Sequence, residues 1–220
     1  MKYKYLLFDL DGTLFDTMEG VVKCTQHALS HFNITASLKE LEIFMGPPLR
    51  YSFMTHYGLS EEQATEAIKI YRDRYELIGW KESTPFKEIP SLLAKLKSAG
   101  YILGVATSKY EGHARKMLEY HDLAKHFDYI TGANHDESIS KKHEVIAEAL
   151  KRFGISENYD DVLMIGDMRF DIIGAKAVGI DSYGIYTGTA KDNEHEDAGA
   201  TYIAYSFNEF EKVMLEDLYN

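Results

Sequence analysis

The chain has 220 residues, enough to bury a sizeable core as one large domain or as one domain that carries a smaller insert. Its 35 acidic and 24 basic residues give a formal net charge of -11. That charge argues against a general nucleic-acid binder, because such proteins neutralise phosphates with lysine and arginine. We therefore expect a small-molecule ligand and no nucleic-acid partner.

The cysteine content and the N-terminal stretch predict a cytoplasmic protein with no membrane partner. The one cysteine, Cys24, cannot form an intramolecular disulfide, and its neighbours are typical of a small buried residue. The first apolar run stops at Asp9, too early for the core of a signal peptide or for a membrane span.

The first strand is predicted at residues 3–8, a short apolar run that ends at an Asp-Gly turn and is typical of a strand buried on both faces. From residue 17 to about 33, apolar residues recur every three or four positions, which predicts a helix. A further amphipathic helix is predicted from the N-cap Ser60 to residue 78, and the paired prolines of GPPLRYSF precede a shorter one. Residues 16–84 are therefore predicted to form an all-helical insert.

After residue 84, helical and extended patterns alternate. Helices are predicted at 89–99, 111–120, 142–153 and 171–178, and strands at 101–106, 127–131, 162–165 and 180–186. The polar stretch 191–197 is predicted to be an exposed loop. Alternation of this kind is typical of a parallel sheet covered by helices on both sides. We predict a doubly wound α/β (Rossmann-like) core, residues 1–15 and 85–220, with the helical domain 16–84 inserted after its first strand.

Polar residues follow three of the predicted strands: Asp9 and Asp11, then Thr107, Ser108 and Lys109, then Asp167 and Asp171. Ligands of open parallel sheets bind beyond the carboxyl ends of the strands, so these residues are expected at one edge. Clustered aspartates would repel one another by about 4 kcal/mol per pair at 4 Å and an effective dielectric constant of 20. Mg²⁺, which prefers oxygen ligands and often a substrate phosphate, would offset that repulsion. Hydroxyl groups and a nearby lysine could then contact a phosphoryl group.

Four motifs in this order resemble a known family. They are Asp9-Leu10-Asp11-Gly12-Thr13, Thr107 in GVATSK, Lys142 in KKHEVI with Lys141 as the alternative, and Gly166-Asp167 followed by Asp171. The chain resembles phosphatases of the haloacid dehalogenase (HAD) superfamily, in particular the branch with a helical (C1-type) cap after the first strand, which includes phosphoglycolate phosphatases. The resemblance covers the core from residue 3 to about residue 186.

The resemblance implies a Mg²⁺-dependent phosphomonoester hydrolase that works through an aspartyl-phosphate. Asp9 would be the nucleophile, and Asp11 would protonate the leaving group and then deprotonate water. The metal would be held by Asp9, Asp167 and the backbone carbonyl of Asp11, and Asp171, the fourth residue of the metal site, would orient metal-bound water or hold the lysine. Lys142 would add positive charge beside the nucleophile. Dehalogenases lack an acid/base aspartate at the position of Asp11, so its presence favours phosphate chemistry.

The resemblance also implies contacts with the substrate. Thr107, Ser108 and Lys142 would bind the phosphate, and the helical insert would close over the substrate as a lid. Arg50 in the insert is a candidate contact for a substrate anion. The alternative interpretations are that Thr107 and Ser108 cap a helix, that the lysine pair forms a solvated first turn, and that Arg50 is a surface residue.

Several functions stay open on the sequence alone. A small phosphorylated metabolite is the expected substrate, and phosphoglycolate phosphatase-like hydrolysis is the preferred reaction. The alternatives are a β-phosphoglucomutase-like sugar phosphomutase, a pyrophosphatase, a 5'-nucleotidase and, least favoured, a non-enzymatic phosphate-binding module. The natural ester is not identified, and either a monomer or a dimer is compatible with the sequence.

Overall fold

The structure, a computed structural model, describes residues 2–136 and 138–216. The chain forms two compact units. The first comprises Met1–Phe15 and Pro85–Asn220, and the second comprises Asp16–Thr84.

The first unit is built on a six-stranded parallel sheet. In chain order the strands are β1 (Tyr5–Phe8), β2 (Phe15–Asp16), β3 (Thr84–Pro85), β4 (Ile102–Tyr110), β5 (Tyr129–Ala133), β6 (Val162–Gly166), β7 (Asp181–Ile185) and β8 (Tyr202–Ala204). The large sheet has the order β5-β4-β1-β6-β7-β8, and β2 and β3 form a separate two-stranded sheet. Every pairing in the large sheet is parallel. The chain therefore winds outward from β1 to β5 and returns to the other side of β1 at β6, which puts the topological switch point at β1.

The second unit is helical and has its own apolar core. Its helices are α1 (Met18–Ser30), α2 (Leu49–Tyr57) and α3 (Glu61–Leu77), with 3-10 turns at Glu40–Phe44 and Gly79–Lys81. Ser60 caps α3 as predicted: its hydroxyl accepts from the Gln63 amide at 3.2 Å, and the Gln63 side chain accepts from the Ser60 amide at 2.9 Å. Leu29, Leu41 and Phe53 are fully buried at its centre.

The remaining helices cover the parallel sheet. They are α4 (Ile89–Ser98), α5 (Glu111–Tyr120), α6 (Lys142–Arg152), α7 (Arg169–Val178), α8 (Glu194–Ala198) and α9 (Phe207–Glu216). Leu6, Leu7 and Phe8 of β1 are fully buried, as a central strand covered on both faces requires. The doubly wound α/β fold predicted from the sequence is confirmed. Across the two described ranges, no helix is both long enough and apolar enough to cross a lipid bilayer.

Besides shifts of one to three residues at the ends of other elements, three predicted elements differ from the structure. Strand β4 does not end at Ala106 but continues to Tyr110, because pairing with β5 resumes at Tyr110 after a register shift. The stretch predicted as an exposed loop at 191–197 contains most of α8, and His195 in that helix is fully buried. The insert is not helical at its two ends, since Asp16 and Thr84 lie in β2 and β3.

Candidate active site

Three aspartates meet where β1 and β6 end. Asp9 directly follows β1, Asp167 directly follows β6, and Asp171 lies in the first turn of α7. The two strands are neighbours, and the Asp9 amide donates to the Ile165 carbonyl at 2.9 Å. One carboxylate oxygen from each aspartate lies within 4.8 Å of the others; Asp167 and Asp171 are buried, and Asp9 is 9% exposed. The fold therefore brings together three of the four predicted metal ligands.

Lys142 supplies positive charge to this cluster. Its Nζ lies 2.7 Å from Asp9 Oδ1 and 2.8 Å from Asp171 Oδ1, and it donates to the Ala106 carbonyl at 3.1 Å. Burial alone would lower the pKa of Lys142, but the charges of Asp171 and Asp9 outweigh it and raise the pKa above its ordinary value. Lys142 is therefore charged at neutral pH and bridges two of the aspartates.

The start of α6 determines which of the two neighbouring lysines reaches the aspartates. Lys142 is the first residue of the helix and is buried, whereas Lys141 is exposed at the N-cap and its backbone amide donates to Glu144. Gly174 of α7 leaves room for the Lys142 stem, since a Cβ at Gly174 would lie 2.6 Å from Lys142 Cγ. The interpretation of Lys142 as part of a solvated first turn is therefore wrong.

Two of the aspartates, Asp9 and Asp167, have pKa values above those of free carboxyl groups. Burial raises the pKa of Asp9 to about 6, with Lys142 opposing the rise and the charges of Asp171 and Asp11 adding to it. Burial, followed by the charges of Asp171 and Asp9, raises the pKa of Asp167 well above its ordinary value. Both shifts reflect negative charge crowded into a site of low dielectric constant.

The loop between β1 and β2 shapes the cluster around Asp167. Gly12 has a φ of +80°, and a Cβ there would lie 2.1 Å from Asp167 Oδ2, so only glycine fits without displacement. The Thr13 hydroxyl donates to Asp167 Oδ1 at 2.7 Å. The -Asp-Gly-Thr- stretch thus orients an aspartate from another part of the chain.

Two threonines after β7 complete this support, and the sequence reasoning missed both. The Thr189 hydroxyl donates to Asp167 Oδ2, and the Thr187 hydroxyl donates to the Gly12 carbonyl at 2.7 Å. Their position beyond the carboxyl end of β7 is the signal that could have identified them, because that end lies on the same edge as the ends of β1 and β6.

Asp11 and Lys109 form a separate ion pair. Lys109 Nζ lies 2.8 Å from Asp11 Oδ2. The Asp11 carboxylate is therefore not part of the three-aspartate cluster, and the predicted metal contact through the Asp11 backbone carbonyl stays a prediction. Taken together, the four aspartates face two ammonium groups, those of Lys142 and Lys109, which leaves a formal excess of two negative charges.

The predicted phosphate contacts differ in their surroundings. Thr107 is buried and its hydroxyl accepts from the Lys109 amide at 3.2 Å, whereas Ser108 is exposed. Neither caps a helix, because the N-cap of α5 is Tyr110, so the capping interpretation is wrong.

Arg50 belongs to the helical unit and is engaged within it. Its Nη1 lies 2.6 Å from Glu61 Oε1 and donates to the Thr65 hydroxyl at 3.0 Å, and the Arg50 side chain is 43% exposed. Its predicted contact with a substrate anion stays a prediction.

Known proteins are similar to this chain in sequence and in fold. A family model described as haloacid dehalogenase-like hydrolase matches residues 6–185. A protein named 5'-nucleotidase from Pseudomonas aeruginosa is 38% identical over 88% of this chain and 87% of its own length. Tyrosine-protein kinase PtkA from Mycobacterium tuberculosis is 36% identical over 91% of this chain and 68% of its own.

A solved structure titled a predicted phosphatase, from Clostridium acetobutylicum, is 41% identical and superposes with a TM-score of 0.90. The superposition covers 98% of this chain and 100% of that one. The family match spans more than half of the sequence, and it includes the residues that form the aspartate cluster. The chain belongs to the haloacid dehalogenase-like hydrolase family.

Proposed function

We propose that the chain hydrolyses a small phosphomonoester with Mg²⁺, through an aspartyl-phosphate on Asp9. The observation that carries the proposal is the buried cluster of Asp9, Asp167 and Asp171 bridged by Lys142. Crowded carboxylates that retain an excess of negative charge suit a metal-assisted reaction on an anion. The relatives' names, which include 5'-nucleotidase and pyrophosphatase, support phosphate chemistry.

The donor set fits a divalent cation. All three groups are carboxylates, the hard oxygen ligands that Mg²⁺ prefers, and one oxygen of each lies within 4.8 Å of the others, near enough for one ion to be contacted by all three. The formal excess of two negative charges is the charge that such an ion would neutralise. When bound, Mg²⁺ would offset the repulsion between the nucleophile and the phosphate and stabilise charge on the transferring group.

The protein's own groups divide the reaction into two steps. In the first, a carboxylate oxygen of Asp9 attacks phosphorus, the ester P–O bond breaks, and Asp11 gives its proton to the leaving oxygen. In the second, the oxygen of a water molecule forms a bond to phosphorus and gives a proton to Asp11, the bond between the Asp9 oxygen and phosphorus breaks, and phosphate leaves with the Asp9 carboxylate restored. Lys142, fixed against Asp9, contributes positive charge throughout.

The substrate contacts belong to the same proposal. The Thr107 hydroxyl, buried near the Ala106 carbonyl that Lys142 binds, is suited to hold a phosphoryl oxygen, with Ser108 at the exposed rim. The helical unit Asp16–Thr84 would serve as a lid that excludes water and selects the ester. Within it, Arg50 would exchange its partner Glu61 for a substrate anion.

Phosphate release from a panel of phosphorylated metabolites and an aryl phosphate, with Mg²⁺ and with a chelator, tests the proposal. We expect turnover that requires the metal and is abolished by Asp9→Asn. Asp160→Asn, which replaces an exposed carboxylate before β6, is the matched control and should retain activity. Activity of Asp9→Asn at the wild-type rate would refute the nucleophile. Isomerisation of a sugar phosphate with little release of phosphate would instead identify a mutase.

A further inference from the structure

The ion pair between Lys109 and Asp11 has no role in the motifs or in the proposed reaction. The Lys109 side chain is 10% exposed and that of Asp11 is 29% exposed, so the pair is largely sheltered from water. The two residues are 98 positions apart in the chain. The fold joins them because β1 and β4 are neighbours in register, with Phe8 opposite Val105, and both residues lie beyond that point.

The two oxygens of Asp11 are in different situations. Oδ2 accepts the Lys109 ammonium at 2.8 Å. Oδ1 is buried and, among the residues that the structure describes, has no hydrogen-bond partner. A buried carboxylate oxygen without a partner is costly in a folded protein, so it marks an atom kept for a partner that arrives later.

We propose that Lys109 is a positioning residue for Asp11, which holds Oδ2 so that Oδ1 is the atom that exchanges a proton with the ester oxygen and then with water. This inference rests on the proposed function. Each proton transfer needs the carboxylate within hydrogen-bond reach of the reacting oxygen, and an aspartate free to rotate about χ1 and χ2 would spend little time there.

The surroundings of Lys109 suit a fixed anchor. Its backbone amide donates to the Thr107 hydroxyl at 3.2 Å, and the next residue, Tyr110, is where pairing with β5 resumes, so the backbone is held on both sides of Lys109. The other lysine of the site, Lys142, is already bound to Asp9 and Asp171. The two ammonium groups therefore serve different carboxylates: Lys142 serves the nucleophile, and Lys109 serves the acid/base group.

Two esters that differ only in the leaving group separate this role from phosphate binding. Phenyl phosphate needs a proton on its leaving oxygen, whereas 2,4-dinitrophenyl phosphate releases a stable anion. The ratio kcat/KM reports the steps up to the first irreversible one, which includes attack by Asp9. We expect Lys109→Met to lower kcat/KM about 10- to 100-fold for phenyl phosphate and less than about threefold for the dinitrophenyl ester. Lys109→Arg, which keeps the charge, should recover part of the loss.

A double-variant comparison makes the test specific to Asp11. If Lys109 acts through that carboxylate, adding Lys109→Met to Asp11→Asn should lower kcat/KM for phenyl phosphate by less than about threefold further. Lys151→Met, which removes an exposed lysine of α6, is the control and should leave both esters unaffected.

The outcomes separate a failure of the role of Lys109 from a failure of the proposed hydrolysis. Equal losses on both esters, or no loss on either, in an active wild-type background would overturn the role of Lys109 and leave the proposed hydrolysis standing. A fall in the thermal midpoint that accompanies equal losses would assign Lys109 to the fold alone. Absence of turnover by the wild-type protein on both esters with Mg²⁺ would overturn the proposed function and this inference with it.

Discussion

Replacing Lys142 with methionine removes the positive charge that lies between Asp9 and Asp171 and keeps most of the apolar stem. The ammonium is buried and is 2.7 Å and 2.8 Å from the two carboxylates. Breaking a buried ion pair by removing one partner typically costs about 3–5 kcal/mol, because the remaining charge is left uncompensated. Two carboxylates lose their counter-charge here, so we expect a loss of unfolding free energy in that range at about pH 8 without metal.

The loss of unfolding free energy caused by Lys142→Met should be smaller at acid pH, because Asp9 is protonated there. Its pKa is about 6 in the folded protein against 3.8 for the free group. When the pKa of a carboxyl group is higher in the folded protein than in the unfolded chain, the folded protein binds the proton more tightly. The unfolding free energy therefore increases as the pH falls from the folded pKa toward the unfolded pKa. For a shift of this size, the effect approaches about 3 kcal/mol at most. Without Lys142 the pKa of Asp9 rises further, so the variant gains more from acid than the wild-type protein does.

Urea unfolding in the presence of a chelator, at about pH 8 and about pH 5, measures both effects. The difference in unfolding free energy between Lys142→Met and wild type should be smaller at the lower pH. Lys141→Met is the matched control, because that lysine is exposed and only its backbone amide donates to Glu144. A Lys142→Met protein as stable as wild type at the higher pH, or a loss of equal size at both, would refute the charge argument.

Three further results are expected. Gly12→Ala should lower phosphate release at least about tenfold, because its Cβ would lie 2.1 Å from Asp167 Oδ2 and the backbone has a φ of +80°. Full activity of this variant in steady-state assays would contradict this geometry. Gly58→Ala is the control, because Gly58 also has a positive φ but has open space around it, so this variant should lose stability without a direct effect on the site. Gly174→Ala should lower activity by displacing the Lys142 stem, which lies 2.6 Å from the added Cβ, and unchanged kinetics would show that α6 and α7 can separate without loss. Mg²⁺ at 100 times its dissociation constant should add about 2.7 kcal/mol to the unfolding free energy of the wild-type protein and so raise its thermal midpoint. The same Mg²⁺ concentration should have little effect on the thermal midpoint of Asp167→Asn. An equal rise in both proteins would argue against metal binding at this cluster.

The sequence determined the fold class and most of the cluster because both depend on local signals. When strands and helices alternate at short spacing, only a few parallel-sheet topologies are possible. The residues just after the strands are then predicted to bind the ligand, because the carboxyl ends of parallel strands lie at one edge. Asp9 and Asp167 each directly follow a recognisable apolar strand, and Asp171 lies four residues after Asp167, so their meeting could be predicted from chain order. Lys142 follows a polar stretch, so its place in the site is predicted only by the family resemblance of KKHEVI.

Other features could not be read from local patterns, because partners remote in the chain create them. The extension of β4 past Ala106 depends on renewed pairing with β5 at Tyr110. The helix α8 has a polar sequence, and His195 is nevertheless buried, with a ring centroid 4.3 Å from that of Tyr186. The sequence predicts that Asp11 and Lys109 lie at one edge of the sheet, but nothing in either stretch indicates that the two side chains pair with each other.

The central claim is that Asp9 carries the phosphoryl group, and chemical trapping tests it most directly. Acid quenching during turnover, followed by borohydride reduction, converts a phosphorylated aspartate into homoserine, which peptide mass spectrometry locates. We predict homoserine at position 9 only when both phosphoester and Mg²⁺ are present. Steady hydrolysis with an unmodified Asp9, or with the modification at another residue, would contradict the account.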